Sequence, residues 1–255
     1  MPRPFYRTGP DHRAGAPVSF LDVRRRFQFR SVEIGRWVTE PEKQRSAALF
    51  YDALCDLMTI LGGTESLISL RGTLALQYGI GGRPGVSAHY TPATRSFALA
   101  KNAGPGSIAH EWFHAFDHYI SQRFLSAPKP LLFASQAWLD DAELVEHPLN
   151  LRLADCFQLM FLDNDGSAPN DYVLRSVEAD KALKSFYFAS PPEMAARAFE
   201  ACIQDQDIKN AFLVQGTKMS VEARLGIYPH GILRRQLNKA FKLYFYQLGV
   251  ALSAK

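Results

Sequence analysis

The sequence His110-Glu111-Trp112-Phe113-His114 decides how the rest of the chain is organised. On an α-helix, two histidines four positions apart lie about 40° apart around the axis, so both imidazoles can bind one metal ion from the same side. Glu111 is turned by about 100° from His110, which suits a general base acting on a metal-activated water better than a third ligand. The spacing therefore predicts half of a zinc site together with its general base.

The residues around this motif predict a helix with one buried face. Ser107 can cap the helix after the turn Gly104-Pro105-Gly106, and polar side chains occupy the face that carries the histidines. One turn beyond His114, Asp117 is a candidate to accept the N–H of an imidazole, and His118 is free to face solvent. The opposite face is a continuous apolar stripe made of Ala109, Trp112, Phe113, Phe116 and Ile120.

A catalytic zinc ion usually has three protein ligands, so the two histidines need a partner from elsewhere in the chain. The segment from Ser190 to Glu200 offers two glutamates, Glu193 and Glu200, which are seven positions apart and therefore share a helix face. Spacing alone does not choose between them. Glu193 could instead complete a capping box with Ser190 and need no metal.

The composition indicates one globular domain. The 255 residues are 47% hydrophobic and 21% charged, which is enough to bury a full core. No stretch has the apolar length needed to cross a bilayer, and the N-terminus lacks the apolar core of a signal peptide, so we expect a cytoplasmic protein. We expect residues 1–18 to be a disordered basic tail and residues 19–252 to form a single domain. The widely spaced Cys55, Cys156 and Cys202 are expected to be buried thiols.

Apolar periodicity and turn signals predict a small sheet that leads into the histidine helix. Residues 27–38 are expected to be extended, a helix is expected from Pro41 to Gly62-Gly63, and two or three helices are expected between residues 131 and 183. Because residues 96–100 directly precede the histidine helix, we expect them to border the cleft and to offer their backbone to an extended peptide. Four short strands are predicted at residues 67–70, 74–78, 86–90 and 96–100, with residues 91–94 as a hairpin turn.

Basic residues are concentrated near both ends of the chain, although the net charge is only +4. Such clusters can contact nucleic-acid phosphates, and they can equally be a solvated surface with no partner. Nucleic acid therefore stays open as a partner. The residues concerned are Arg3, Arg7, Arg13, Arg24, Arg25, Arg26 and Arg30 in the first part of the chain, and Arg234, Arg235, Lys239 and Lys242 in the C-terminal helix.

The blocks at residues 104–119 and 190–200 resemble the two metal-site blocks of the metallopeptidase-like large polyvalent protein-associated domain. That domain occurs in plasmid and phage polyproteins and in stand-alone bacterial proteins labelled CLCA-X, and the resemblance spans roughly residues 20–247. It implies a gluzincin-like zinc metallopeptidase of the zincin fold. The expected fold class is therefore α+β, with a small sheet leading into the histidine helix and a mainly helical C-terminal half.

The second block also resembles the glutamate-bearing helix of the anthrax lethal factor peptidases, in which the third zinc ligand lies six residues before a phenylalanine. Counted back from Phe199, the resemblance implies Glu193 as the third ligand of Zn²⁺. Arg197 stands where that family has another glutamate, and we expect it to pair with Glu200 or Asp117.

The expected reaction is hydrolysis of a peptide or protein amide, with Glu111 passing the proton of the attacking water to the leaving amine. A donor to the oxyanion is also required, and Tyr187 is the first candidate and Tyr228 the second, although either phenol could simply pack in the core. Two other functions fit the sequence. One is a catalytically silent binding module of the same fold, and the other is a nucleic-acid-associated accessory protein of a mobile element.

Overall fold

The computed structural model describes residues 5–80, 88–101 and 106–254, and these form an α+β fold. One mixed sheet holds β1 (Val32–Ile34), β2 (Ala75–Tyr78), β3 (Ala88–Thr91) and β4 (Ser96–Leu99) in the order β1-β2-β4-β3. The strands β1, β2 and β4 are parallel, and β3 pairs antiparallel with β4 at the edge. The helices are α1 (Phe20–Phe27), α2 (Glu40–Leu61), α3 (Glu65–Ile68), α4 (Ile108–Phe124), α5 (Ala134–Leu139), α6 (Pro148–Phe161), α7 (Asp171–Leu183), α8 (Pro191–Asp205), α9 (Val221–Arg224) and α10 (Gly231–Ser253).

Strong local signals agree with the structure. The helix α2 begins with a capping box between Thr39 and Glu42 and ends at Gly62, whose φ of 59° is easily adopted by glycine. The predicted strand at 74–78 corresponds to β2, the strand at 96–100 to β4, and the turn between β3 and β4 is the predicted hairpin. Residues 86 and 87 of the predicted third strand, and Gly104-Pro105 of the predicted turn, lie outside the described residues.

Two predictions of extended structure are wrong in part. Residues 67–70 are the end of helix α3 and a turn, because the carbonyl of Thr64 accepts the N–H groups of Leu67 and Ile68 and the backbone at Leu70 takes a positive φ. Between residues 27 and 38 only Val32–Ile34 form a strand. The helix α1 before them was not predicted, although its signal is present as a capping box between Ser19 and Asp22.

The helix α4 is fixed by aromatic packing on both sides. Its predicted apolar stripe is buried, and the rings of Phe113 and Phe199 stack with centroids 4.8 Å apart, which joins α4 to α8. The indole N–H of Trp112 donates to the carbonyl of Ile68 at 3.0 Å. Because α10 adds Phe241 and Phe245 to the same cluster, the directions of the side chains on the other face of α4 are held by the core.

Residues 5–18 differ from the expectation of a disordered tail. Arg7 donates to both carboxylate oxygens of the fully buried Asp56 at 2.6 and 2.7 Å, and His12 contacts the same group at 2.8 Å. The N–H of Thr8 donates to the carbonyl of Lys209 at 2.8 Å. A buried carboxylate needs such partners, because an unpaired buried charge is strongly destabilising.

The three cysteines are free and buried, as predicted. Within the described residues, no helix combines the length and the apolar character required to cross a membrane.

Candidate metal centre

Two helices that are distant in sequence bring three ligand groups together. The Nε2 atom of His110 lies 3.2 Å from Glu193 Oε2, and that of His114 lies 3.2 Å from Glu193 Oε1. The two Nε2 atoms are 3.0 Å apart. Zinc bonds of about 2.0–2.2 Å in a tetrahedral site put neighbouring ligand atoms about 3.3 Å apart, so these separations fit a zinc ion. No other group of three His, Cys, Asp or Glu among the described residues has ligand atoms this close.

The second candidate, Glu200, takes a different position. Its Oε2 atom accepts a hydrogen bond from Nδ1 of His110 at 2.9 Å and another from the hydroxyl of Tyr228 at 3.1 Å. Glu200 therefore orients the imidazole of His110 and makes its Nε2 a better ligand. The alternative in which Glu193 caps its own helix is not observed, because its carboxylate turns to the histidines and Ser190 makes no side-chain cap.

The local sequence explains how α8 presents these two carboxylates. Pro191 and Pro192 occupy its first positions, where no intrahelical N–H is needed, so the helix starts sharply just before Glu193. Two turns later Glu200 lies on the same face. From Met194 to Ile203 every residue of the helix is buried, which fixes its rotation about the axis.

The site gathers three carboxylates, from Glu111, Glu193 and Glu200, around two imidazoles. Burial lowers the pKa of His110, but Glu200 and Glu193 outweigh it and raise this pKa to about 10. Burial raises the pKa of Glu193, yet the hydrogen bonds from His110 and His114 bring it well below its usual range. The cluster therefore requires positive charge, which either a protonated imidazole or a bound cation can supply.

The proposed general base lies in the same cavity. Glu111 is 8% exposed, and its burial raises the pKa of its carboxyl group, which favours proton uptake. Tyr187 and Tyr228 also line this cavity of about 900 Å³. The hydroxyl of Tyr228 donates to Glu200 at 3.1 Å, whereas Tyr187 is 47% exposed, and partial burial together with the neighbouring Glu193 raises the pKa of its phenol.

The strand at the cavity is β3 and not the predicted 96–100 segment. Ala88, His89 and Tyr90 line the cavity, while β4 is covered on both sides by β2 and β3. The prediction was wrong because the chain forms a hairpin, so the strand nearest to α4 in sequence is not the strand at the sheet edge.

Three side chains near the site differ from expectation. Asp117 accepts two hydrogen bonds from Ser135, one from its backbone N–H at 2.9 Å and one from its hydroxyl at 2.5 Å. Asp117 therefore links α4 to α5 and does not accept an imidazole N–H. His118 is buried, with its Nδ1 atom 2.7 Å from the hydroxyl of Tyr90. Arg197 pairs with neither Glu200 nor Asp117, because its guanidinium turns to the carbonyl of Phe188.

One group that supports the site was missed entirely. The carboxylate of Asp180 accepts the backbone N–H groups of Tyr187, Phe188 and Ala189 at 2.9, 2.9 and 2.8 Å. Arg197 donates to the same segment from the opposite side. Residues 185–189, which we call the aromatic loop, are thus held between α7 and α8. No local pattern in the sequence marks this contact.

The family described as large polyvalent protein-associated domain 1 matches residues 179–252. This segment includes α8 with Glu193 and Glu200, and it ends one residue before the end of α10. The match supports the polyvalent-protein-associated part of the expected resemblance. The searches of curated proteins and of solved structures gave no match to the chain.

Proposed function

We propose that the protein is a zinc-dependent metallopeptidase with a zincin-like fold. The observation that supports it best is the convergence of His110, His114 and Glu193, whose ligand atoms lie 3.0–3.2 Å apart beside an open cavity. When bound there, zinc supplies Lewis-acid activation of a water molecule.

Three residues of the chain have the other roles in the proposed hydrolysis. Glu111 takes the proton of the attacking water and passes it to the leaving amine, a role that its raised pKa favours. Tyr187 donates its hydroxyl proton in a hydrogen bond to the developing oxyanion, because Tyr187 lines the cavity beside Glu193. Glu200 keeps His110 in the orientation that directs Nε2 into the site.

An extended peptide is the substrate form that the cavity accepts best. The edge strand β3 pairs with β4 on one side, and no described strand pairs with its other side. A peptide can therefore add to β3 through backbone hydrogen bonds and lie across the ligand groups. A protein or peptide amide is the substrate class that follows.

The metal site is tested with purified full-length protein. We expect one equivalent of zinc by elemental analysis, and its loss in a double His110→Ala and His114→Ala variant. A His147→Ala variant is the control, because His147 is exposed and does not line the cavity. Metal-free wild-type protein after growth and dialysis with added zinc would overturn the proposal.

Hydrolysis is tested separately with a peptide library and mass spectrometry. The Glu111→Gln variant should keep its zinc and cleave about 10²- to 10⁴-fold more slowly, because it removes only the base. If wild-type protein binds zinc and cleaves no peptide, the catalytically silent binding module replaces the peptidase.

A further inference from the structure

Several arginines that the sequence grouped as a basic surface are in fact used internally. Arg7 and Arg13 form ion pairs with Asp56 and Asp52. Arg234 is buried and pairs with Asp205, which corrects its assignment to the basic face of the C-terminal helix. Five other arginines that have no ion pair with an acidic side chain among the described residues are Arg24, Arg30, Arg71, Arg95 and Arg123.

Those arginines lie together at one end of the sheet. Because β1, β2 and β4 are parallel, the residues that precede them meet at the same edge. The N–H of Arg30 donates to the carbonyl of Leu74, and Arg95 accepts the N–H of Ala75, so Arg30 and Arg95 flank the start of β2. Adjacent strands are about 4.8 Å apart, which separates these two backbones by about 10 Å.

Further arginines extend this surface. Arg24 donates to the carbonyl of Arg30, and Arg71 lies in the turn that leads to β2. Arg123, in the last turn of α4, has its guanidinium over the ring of Tyr119 at 4.5 Å from the centroid. Burial raises the pKa of Tyr119, and the charges of Arg123, Arg71 and Arg95 oppose this rise. We call Arg24, Arg30, Arg71, Arg95 and Arg123 the arginine face.

The arginine face has no acidic partner of its own. No Asp or Glu among the described residues forms an ion pair with any of its five members. The sequence outside the described residues contains no Asp and no Glu. The nearby Glu65 is engaged by Arg26. Five uncompensated positive charges repel one another, so an anionic partner would stabilise this surface.

We propose that the arginine face binds single-stranded nucleic acid. A guanidinium presents a planar fork that matches phosphate, and this surface presents five guanidinium groups. The partly exposed Tyr119 with Arg123 above its ring offers a stacking surface for an unpaired base. The carboxylates of an acidic protein segment could also pair with the arginines, but such a segment has no base to stack on the ring of Tyr119.

The test is fluorescence anisotropy of the full chain with a labelled single-stranded DNA oligonucleotide over a range of salt concentrations. The site variant combines Arg71→Gln, Arg95→Gln and Arg123→Gln. The control combines Arg235→Gln, Lys239→Gln and Lys242→Gln, which removes the same charge from exposed positions of α10. We expect the site variant to raise Kd about tenfold or more and to reduce the slope of log K against log salt by about 2, since each lost phosphate contact is worth about 0.7 on single strands.

The control variant should change Kd by less than about twofold at the same ionic strength. Equal weakening by both variants, or the absence of salt-dependent binding by the wild-type protein, would overturn the proposal. Competition by polyglutamate or by anionic vesicles as strong as that by unlabelled DNA would also overturn it, because the partner would then be any polyanion. If the triple variant is less stable by circular dichroism, the single Arg95→Gln and Arg123→Gln variants must each raise Kd about twofold or more.

Discussion

Glu193 and Glu200 show how two identical side chains on one helix face acquire different roles. The carboxylate of Glu193 lies against both Nε2 atoms, whereas that of Glu200 lies against Nδ1 of His110 and the hydroxyl of Tyr228. A carboxylate on Nδ1 fixes the tautomer and the ring orientation of a ligating histidine.

Replacing Glu200 should therefore weaken zinc binding without removing it. In the Glu200→Gln variant we expect the zinc affinity to fall about 10- to 100-fold, because the charged acceptor for His110 is lost. Competition with a chromophoric chelator measures this affinity. The exposed Glu146→Gln variant is the control. Complete loss of zinc, equal to that of the Glu193→Gln variant, would mean that Glu200 is itself a ligand.

The ion pair of buried Arg234 and half-buried Asp205 gives a prediction about pH. Burial raises the pKa of Asp205, but hydrogen bonds from Arg234 and Lys218 outweigh it and lower the pKa below its ordinary 3.8. Because the folded-state pKa is the lower one, the pair stabilises the protein above pH 3.8, and this stabilisation is lost as the pH falls through the folded value.

The Asp205→Asn variant should thus lose about 3 kcal/mol at neutral pH, since Arg234 would keep a buried charge without its partner. The difference in free energy of unfolding from the wild-type protein should be constant between pH 5 and 8 and should shrink below pH 3.8. Urea unfolding at a series of pH values measures both. A difference that does not change with pH would argue against the ion pair as its cause.

At the scale of elements, the aromatic loop depends on the end of α7. Asp180 accepts three consecutive backbone N–H groups, at Tyr187, Phe188 and Ala189, and so holds Tyr187 at the cavity. In an Asp180→Ala variant we expect these amides to exchange with solvent at least tenfold faster, because their common acceptor is gone.

Hydrogen exchange followed by mass spectrometry measures this effect without any activity assay. The Glu178→Ala variant is the matched control, since Glu178 is an exposed acid on the same helix. If peptidase activity is found, Asp180→Ala and Tyr187→Phe should lower kcat similarly while zinc content is unchanged. Unchanged exchange at residues 187–189 would show that Arg197 alone holds the loop.

The helices and strands also show which parts of the structure can be predicted from the sequence. The histidine helix, α2 and the β3–β4 hairpin were predicted because a spacing, a glycine pair and a turn sequence each act within a few residues. The four-residue apolar run at 67–70 was misassigned, because a run that short fits a strand and a buried helix end equally well. Contacts such as Asp117 with Ser135 were not predictable, since they join separate elements and leave no periodic signal.

For the whole molecule, Asp56 is the residue that joins the N-terminal segment to the body. It accepts hydrogen bonds from Arg7 and Asn210 and contacts His12. The segment after Asn210 reaches the start of α4, where the carbonyl of Leu213 accepts the N–H of Ala109. The N-terminal segment therefore supports the helix that carries the histidines, through one intermediate loop.

An Asp56→Ala variant should lose about 3–5 kcal/mol of stability, because Arg7 and Asn210 would lose their buried acceptor. Equilibrium urea unfolding measures this loss. The Asp155→Ala variant, whose ion pair with Arg152 is exposed, should lose about 1 kcal/mol or less. Equal losses in the two variants would show that burial of Asp56 adds nothing.

The division of the proposed metal centre between α4 and α8 has a consequence for proteins that share only part of this chain. Residues 179–252 supply Glu193 and Glu200, and both histidines come from outside that segment. A relative that contains this segment alone would have the proposed ligand Glu193 without either histidine, and a single carboxylate binds zinc weakly. Zinc binding in such relatives would depend on whether they also contain the histidine helix, so α4 and the segment that contains α8 can be gained or lost separately.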